Sequence, residues 1–518
     1  LKDPGAPSLP VAMTFDQLRA KLALARADDG ARPGLPKAHA GLLWQVLALV
    51  LPVTATYTLE GCGNLIPLIA ASNFVGSSEG DVAARVGAVG LGETVVTCVG
   101  FVIRAGWTGG QDALVPQAFG KGDFNQARAH LHQCQIWMTL LFVACAALLY
   151  QTEGILTALG VADEKMAKLA SDFVVLNIPG LWFDFQYDTL RKFLLNQKMP
   201  TPSLIVMCAV VPCHLFWSWV LLQYGPLSAM HSIGAAWTIK CATAFALLGV
   251  YATWYAPCPS CRGWWWPWRF PAISPRGLAE YARFGLPSTG MYGLDWWAWE
   301  ALTLLAGGLR DGPELAAHVA AAGASDWLFM VMKGSPKAAT VLIGAAAGQG
   351  DTAGVRAVFR TCACCCMVLC AAVALAIWSF RHQLVTWLLP GEGPAQASLA
   401  GLLPLIMLQL AIDAATSLCH GTLAGLGEQG RVCLGCLLCS WVVQLPLAWG
   451  MAYPLGLGVL GLRSAGCVAG TLNLTYGALL LRSCIRRHAK EQSLDFCVTD
   501  YAGPPCSSGA KGEKGHCE

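Results

Sequence analysis

Charged residues are scarce in this chain. They make up 13% of its 518 residues, against roughly 25% in soluble globular domains. The chain is 55% hydrophobic, and apolar runs recur at lengths of about 20 residues, enough for a helix to cross a bilayer. In lipid the backbone must satisfy its own hydrogen bonds, which a helix does within one segment. We therefore predict an all-α polytopic membrane protein.

Several kinds of site are missing. The net charge is +3 and no basic tract indicates a nucleic-acid partner. Most of the 23 cysteines lie inside apolar runs, where cysteine acts as a small hydrophobe, and not in the pattern of a disulfide scaffold. Cys258-Pro-Ser-Cys261 is a lone pair, whereas structural zinc needs four ligands. No cofactor, metal or nucleic acid is expected.

Nothing in the sequence indicates an enzyme. The histidines are scattered without metal-ligand spacing, and no nucleophile constellation occurs. Two Gly-x-Gly-Asp segments could be mistaken for phosphate loops, at Gly120 and Gly348. Neither has the Lys-Ser/Thr ending of a nucleotide loop. A glycine that ends a helix in a tight loop is the favoured interpretation.

The apolar pattern predicts twelve membrane helices. They are expected near residues 42–71, 83–109, 129–150, 168–195, 203–223, 232–255, 278–306, 316–346, 358–389, 397–425, 432–453 and 458–482. The predicted units are a flexible cytoplasmic tail over 1–40, a six-helix lobe over 41–256, a cytoplasmic loop over 257–277, a second six-helix lobe over 278–485 and a disordered cytoplasmic tail over 486–518. Lys and Arg concentrate on one side of this layout, which predicts that both termini are cytoplasmic.

The two halves repeat each other. Leu51-Pro-Val-Thr-Ala-Thr-Tyr-Thr-Leu-Glu60 matches Leu286-Pro-Ser-Thr-Gly-Met-Tyr-Gly-Leu-Asp295 in register. The segment Gly120–Arg128 matches Gly348–Arg356, and Pro179 precedes Asp188 by the spacing at which Pro404 precedes Asp413. Six helices per copy give both copies the same orientation, so a substrate site between two lobes is expected. Pro52 and Pro287 occur as a pair in this repeat, and we predict them as bending points for gating, with static kinks as the alternative.

The seventh predicted helix carries two acids among tryptophans. Asp295 and Trp299 share one face, and Trp296 and Glu300 share the next. Ionisable groups at membrane depth are costly and mark functional sites. An acid beside an indole can hold a proton or a cation. A buried, satisfied polar pair with interfacial tryptophans is the alternative.

Four stretches resemble one transporter family. They are Gln117–Asp123, Arg191–Gln197 followed by Pro200, Leu294-Asp-Trp-Trp-Ala-Trp-Glu300, and Gly421–Gln429. Together with the 6+6 layout over roughly residues 42–485 they resemble MATE, the multidrug and toxic compound extrusion antiporters, in its eukaryotic form. The resemblance implies efflux of organic cations or other metabolites in exchange for H⁺ or Na⁺. It places Asp295 and Glu300 on the two helix-7 carboxylates and Asp413 on the helix-10 acid.

Other intramembrane charges extend the candidate site. Glu60, the repeat partner of Asp295, and Glu93 are candidate proton or cavity residues. A pairing of Glu60 with Lys240 or Lys333 is the alternative, because buried charges are normally paired. Lys333 is either an anchor for an anionic substrate or a partner for Asp413 or Asp295, and the role of Lys240 is open. Arg104 is expected to snorkel toward the cytoplasmic edge, and Asp188 to pair with Arg191.

The sequence thus predicts a secondary antiporter that works by alternating access. A desolvated carboxylate favours its protonated form, so proton and cation would alternate at one site. The expected partners are a small organic, cationic substrate and the bilayer, with the protein a monomer in the plasma membrane or a vacuolar or other organelle membrane. A lipid-linked oligosaccharide flippase of the wider superfamily is the alternative, and it would need basic groups in its cavity.

Overall fold

The computed structural model contains twelve long helical segments. It describes residues 35–73, 82–160, 163–261, 264–265, 274–309, 312–389 and 393–501, with the backbone alone at 35–40, 83 and 488–501. We label the segments α1 to α12, and one label covers two or more consecutive helices where the segment is interrupted. They are α1 (Leu35–Gly63, Ile66–Asn73), α2 (Val82–Val96, Thr97–Phe101, Val102–Thr108, Gln111–Gly120), α3 (Phe124–Tyr150), α4 (Glu164–Val175, Ile178–Asn196), α5 (Thr201–Tyr224), α6 (Ala229–Val250, Tyr251–Tyr255), α7 (Pro275–Gly308), α8 (Gly312–Met332, Gly334–Gly348), α9 (Thr352–Ser379), α10 (Gly393–Gly425), α11 (Gln429–Cys436, Leu437–Gln444, Leu445–Ala452) and α12 (Gly458–Tyr501).

The predicted all-α class and the twelve-helix count are confirmed. No β-strand occurs in the residues that the structure describes, and each observed segment overlaps one predicted helix. Ten segments are long and apolar enough to cross a membrane, judged by length and composition. The other two, α4 and α7, carry more charged side chains, among them Asp184 and Asp188 on α4 and Asp295 and Glu300 on α7.

The end of the chain differs from the prediction. The last helix continues to Tyr501, so residues 486–501 are helical where a disordered tail was expected. Residues 502–518 and the first part of the predicted N-terminal tail, 1–34, lie outside the described residues. The loop over 257–277 is described only in part, and the other predicted boundaries stay predictions.

The repeated Gly-x-Gly-Asp segments form tight turns at the ends of α2 and α8. Gly122 and Gly350 have φ values of 77° and 73°, a left-handed conformation that glycine adopts without a Cβ penalty. The aspartates that follow cap the next helices. Asp123 accepts a hydrogen bond from the Gln126 amide at 2.9 Å, and Asp351 accepts one from the Gly354 amide at 2.8 Å. The loop interpretation of these segments is therefore confirmed.

Glycines let the two lobes approach each other at equivalent places. A Cβ added at Gly106 of α2 would lie 2.4 Å from Cα of Thr289 on α7, and one added at Gly334 of α8 would lie 2.1 Å from Oγ1 of Thr54 on α1. Thr54 and Thr289 are partners in the sequence repeat. The α2–α7 and α1–α8 crossings are thus related by the internal symmetry.

The ends of α2 and α8 also meet across the lobes. A Cβ at Gly120 would be 2.2 Å from the Ala345 carbonyl oxygen, and one at Gly348 would be 2.3 Å from the Gln117 carbonyl oxygen. The Gln117 side-chain amide donates to the Gly425 carbonyl of α10 at 2.9 Å. The lobes are therefore in close contact at the end of the molecule that carries the two repeated turns.

Alanine at Gly106 tests the crossing of α2 and α7. Gly106→Ala should lower the free energy of unfolding by about 1–3 kcal/mol, because the added methyl overpacks the backbone of α7. Gly90→Ala on the same segment is the matched control, since nothing lies within 4 Å of its added Cβ. Because alanine favours a helix more than glycine does, Gly90→Ala should raise the free energy of unfolding by up to about 1 kcal/mol. Thermal unfolding in detergent measures both, and equal stabilisation of the two variants would contradict the crossing.

Candidate functional site

Arg104 lies at the centre of a buried charge cluster in the first lobe. Its Nη2 is 3.2 Å from Oε1 of Glu60 on α1, and its Nη1 is 3.2 Å from Oδ1 of Asp184 on α4. Its side chain is 5% exposed. The predicted snorkelling of Arg104 is therefore wrong, because two carboxylates from other helices hold the guanidinium inside the lobe.

Arg191 completes this cluster from α4. Its Nη1 is 2.8 Å from the second Glu60 oxygen, Oε2, and its Nε donates to Asp188 at 3.0 Å. The other Asp188 oxygen accepts from the Thr108 hydroxyl at 2.8 Å. The expected local pair of Asp188 with Arg191 is confirmed. Glu60 pairs with the two arginines, and no ion pair to Lys240 or Lys333 within 4 Å is found in the described part of the chain.

A second polar group joins the two lobes. Nζ of Lys337 on α8 lies 2.9 Å from Oδ2 of Asp112 on α2 and donates to the hydroxyl of Tyr292 on α7 at 3.0 Å. Nζ of Lys192 on α4 is 3.9 Å from the same Asp112 oxygen. Lys192 is 4% exposed and Arg191 is 6% exposed, so both side chains are buried against the neighbouring helices.

Asp295 and Asp413 lie in the second lobe with uncharged partners. Oδ1 of Asp295 accepts from the Ser440 hydroxyl of α11 at 3.3 Å. Oδ1 of Asp413 accepts from the Gln409 amide one turn earlier on α10, at 2.7 Å. The two carboxylates interact electrostatically. The helix-7 and helix-10 acids, predicted as one site, thus lie in the same lobe, and their joint role stays a prediction.

Glycines on α12 bring aromatic and polar side chains close to these acids. A Cβ at Gly466 would lie 3.2 Å from the Trp299 ring and 3.3 Å from the Gln409 amide oxygen. One at Gly470 would lie 3.9 Å from Asp413. Trp299 in turn has the Arg463 guanidinium 5.7 Å from its ring centre. The predicted tryptophan thus forms one wall of the acid site.

Two charged residues of this lobe were missed by the sequence interpretation. Asp326 on α8 interacts electrostatically with Glu300, and Arg463 interacts with both Asp326 and Asp413. Arg463 is 2% exposed and donates weakly to the His318 carbonyl at 3.4 Å. A charged residue within a predicted apolar helix is the signal in the sequence that could have identified both.

The remaining predicted residues are more dispersed. Glu300 and Glu93 are half-buried on α7 and α2, and neither forms an ion pair within 4 Å among the described residues. The Trp296 ring is 5.5 Å from Phe101 of α2, so it bridges the lobes. Pro52 and Pro287 lie inside helices, and their gating role stays a prediction.

Lys333 and Lys240 contact aromatic rings. Nζ of Lys333 lies 5.3 Å from the ring centre of Tyr57 and 5.2 Å from that of Phe329. Nζ of Lys240 lies 5.7 Å from the ring centre of Trp237. Lys333 therefore makes no ion pair with Asp413 or Asp295, as one of its two predicted roles required.

Two helical lobes with intramembrane charges at their centres are typical of a multi-pass membrane transporter. Comparison with known proteins agrees. The MatE family model matches residues 52–220 and 287–449, which is more than half of the chain. The chain belongs to the MatE family, and the predicted family is confirmed.

Similar proteins include plant and animal members. The chain is 27% identical to Protein DETOXIFICATION 37 of Arabidopsis thaliana, over 82% of each chain. It is 25% identical to Multidrug and toxin extrusion protein 1 of Xenopus tropicalis, over 81% of this chain and 71% of that protein. The fold matches the crystal structure of the eukaryotic MATE transporter AtDTX14 with a TM-score of 0.78 at 19% identity, covering 88% of this chain and 99% of that one.

Removal of Arg104 tests the cluster of the first lobe. Arg104→Leu should lower the free energy of unfolding by about 3–5 kcal/mol, because it leaves buried carboxylates without their partner. Adding Glu60→Gln and Asp184→Asn should recover part of that loss. Arg356→Leu, at an exposed position of α9, should change stability by no more than about 0.5 kcal/mol. Denaturant unfolding in detergent measures these differences, and wild-type stability of Arg104→Leu would refute the role of Arg104.

Proposed function

We propose that this protein is a secondary antiporter that exports organic cations, including xenobiotics or metabolites, in exchange for protons or Na⁺. The names of the relatives, multidrug and toxin extrusion proteins among them, support export of such compounds. The acid site of the second lobe supports cationic cargo. We expect no cofactor beyond the coupling ion.

The distribution of ion pairs carries the proposal. In the first lobe Glu60, Asp184 and Asp188 each lie within 4 Å of an arginine. In the second lobe, no basic group of the described residues lies within 4 Å of the four candidate carboxylates Asp295, Glu300, Asp326 and Asp413. Negative charge in a low-dielectric site attracts a cation strongly. The second lobe therefore has four carboxylates without an ion pair that can bind cargo or coupling ion. Of the two candidate acids of the first lobe, Glu60 is held by arginines and Glu93 is unpaired among the described residues.

Proton and substrate would compete for these carboxylates. Like charges in one site favour protonation of one of them, and a proton on Asp295 or Asp413 would weaken the hold on a cationic substrate. Loss of the proton would restore the attraction of the carboxylate for the cation. Trp299 supplies a ring face for the cation. Coupling follows when each occupant favours a different conformation of the two lobes.

The conformation observed is closed at one end. The contacts of Gly120 with Ala345 and of Gly348 with Gln117 seal the lobes beside the repeated turns. With the orientation predicted from Lys and Arg, that end faces the cytoplasm and both termini are cytoplasmic. This arrangement corresponds to release of cargo on the opposite side.

The flippase alternative is less favoured. It would need free basic groups to hold a lipid-linked pyrophosphate. Arg104, Arg191 and Lys337 are already engaged by carboxylates at 3.2 Å or less. That leaves Lys333 and Lys240 without an ion pair among the described residues, two separate charges on α8 and α6 rather than a cluster that could hold a pyrophosphate. The structure has twelve long segments and the described residues contain no further pair of spans. The antiporter remains the better account.

Replacement of Asp295 tests the proposal. In proteoliposomes with an imposed proton gradient, and separately a Na⁺ gradient, Asp295→Asn should reduce gradient-driven uptake of a fluorescent organic cation. The carboxylate is lost without a change of shape, and coupling energies imply a reduction of roughly 5- to 150-fold. Asp413→Asn should behave similarly. The matched control is Asp172→Asn on α4, which should retain wild-type uptake. Undiminished uptake by Asp295→Asn would exclude this residue from the coupling site.

A further inference from the structure

Lys333 occupies a break in α8 at the junction of the lobes. The first helix of α8 ends at Met332 and the second begins at Gly334, and the side chain of Lys333 is half-buried. It reaches over Tyr57 of α1 in the opposite lobe and over Phe329 of its own helix, 5.3 and 5.2 Å from the ring centres. In the described part of the chain no carboxylate lies within 4 Å of its Nζ.

The neighbouring carboxylates are already engaged. Both oxygens of Glu60 are held by arginines, at 3.2 and 2.8 Å, and Asp112 is held by Lys337 at 2.9 Å. Arg104, Arg191, Lys192 and Lys337 each lie within 4 Å of a carboxylate, whereas Lys333 and Lys240 have no carboxylate within 4 Å among the described residues. Of these two, Lys333 is the one that reaches from the second lobe over a residue of the first, Tyr57.

Two buried hydroxyls beside the break have no partner. Ser335 is 1% exposed, and neither its Oγ nor Oγ1 of Thr54 makes a hydrogen bond among the described residues. Thr289, the repeat partner of Thr54, donates to the Gly285 carbonyl at 2.9 Å. A threonine at this position of the repeat can therefore form a hydrogen bond within its own helix, and Thr54 does not. Buried polar atoms are normally satisfied. Two free donors beside an unpaired lysine point to an anionic acceptor.

The helix break adds to the attraction for an anion. The first amides of a helix have no partner within the helix, and its N-terminus carries partial positive charge. The second helix of α8 begins at Gly334, next to Lys333. Pro336 has no amide N–H, so the first-turn donors are those of Gly334 and Ser335. The lysine, the hydroxyls and the helix start thus favour the same charge.

The acid site lies on the same helix. Asp326 precedes Lys333 by seven residues, which is two turns on one face and about 10.5 Å along the axis. Asp326 is exposed and interacts electrostatically with Lys333. One molecule of moderate size could therefore contact the acids with a cationic nitrogen and Lys333 with an anionic group.

We propose that Lys333 binds the anionic group of an amphoteric substrate, one that carries a carboxylate or similar anion as well as a cationic nitrogen. Tyr57 and Phe329 flank the apolar body of this substrate. The assignment rests on the proposed export function for its biological meaning, but it concerns binding, which is measurable without transport. It makes Lys333 a specificity-determining residue.

The test uses two rhodamine dyes that differ in one charge. One has a free carboxylate and is a zwitterion, and the other is its methyl ester and is a cation. Fluorescence anisotropy in detergent gives the Kd of each dye for wild type, Lys333→Gln and Lys333→Arg. The control is Lys240→Gln, which removes the other membrane lysine without an ion pair among the described residues, buried on α6 of the first lobe. Size-exclusion profiles and melting temperatures show that each variant is folded.

We expect Lys333→Gln to weaken binding of the zwitterion by tenfold or more, since a hydrogen bond to a charged group contributes roughly 1.5–3 kcal/mol. The methyl ester should bind with unchanged or higher affinity. Lys333→Arg should restore most of the zwitterion affinity, and Lys240→Gln should leave the ratio of the two affinities unchanged. A loss of affinity shared equally by both dyes, no loss for either, or no binding of the zwitterion by wild type would each overturn the assignment.

Transport separates this inference from the proposed function. Wild-type protein that binds both dyes but moves neither under a proton or Na⁺ gradient would refute proton- or Na⁺-coupled export of such cargo, while the site at Lys333 would stand. Gradient-driven uptake of the methyl ester with equal zwitterion affinity in wild type and Lys333→Gln would leave export intact and refute the role of Lys333.

Discussion

Pairing of charge inside the apolar lobes is the constraint on which this structure depends. Arg104 and Arg191 engage Glu60 from both sides, and each arginine also contacts an aspartate of α4. An unpaired charge in a low-dielectric interior costs several kcal/mol. The cluster therefore joins α1, α2 and α4, and the charged character of α4 follows from this need.

The second lobe does not repeat this solution. Asp295 is the repeat partner of Glu60, yet its partner is the Ser440 hydroxyl rather than an arginine. The position equivalent to Arg104 in the repeat is Met332. The repeated frame thus ends in an arginine-paired carboxylate in the first lobe and in a carboxylate without an ion pair in the second. This asymmetry explains why coupling is assigned to the second lobe.

Contact between the lobes depends on small residues and a few charges. Gly106, Gly120, Gly334 and Gly348 allow backbone approach that a side chain would block. Lys337 adds a polar link from α8 to Asp112 and Tyr292. Small residues give close packing but little binding energy beyond van der Waals contact in a membrane. An interface of this kind can separate and re-form, as alternating access requires.

The sequence alone determined the fold class, the helix count, the repeat and the family, and it singled out Asp295, Glu300 and Asp413 in the second lobe. These follow from apolar run length, from register and from motifs, all of which are local. It also identified the pair of Asp188 with Arg191, which are three residues apart. Only the tertiary structure showed that Arg104 is internal and that Asp326 and Arg463 belong to the acid site. It alone left Lys333 without a carboxylate. Those outcomes depend on which helices meet, and a charge on one helix does not reveal the partner that another helix brings to it.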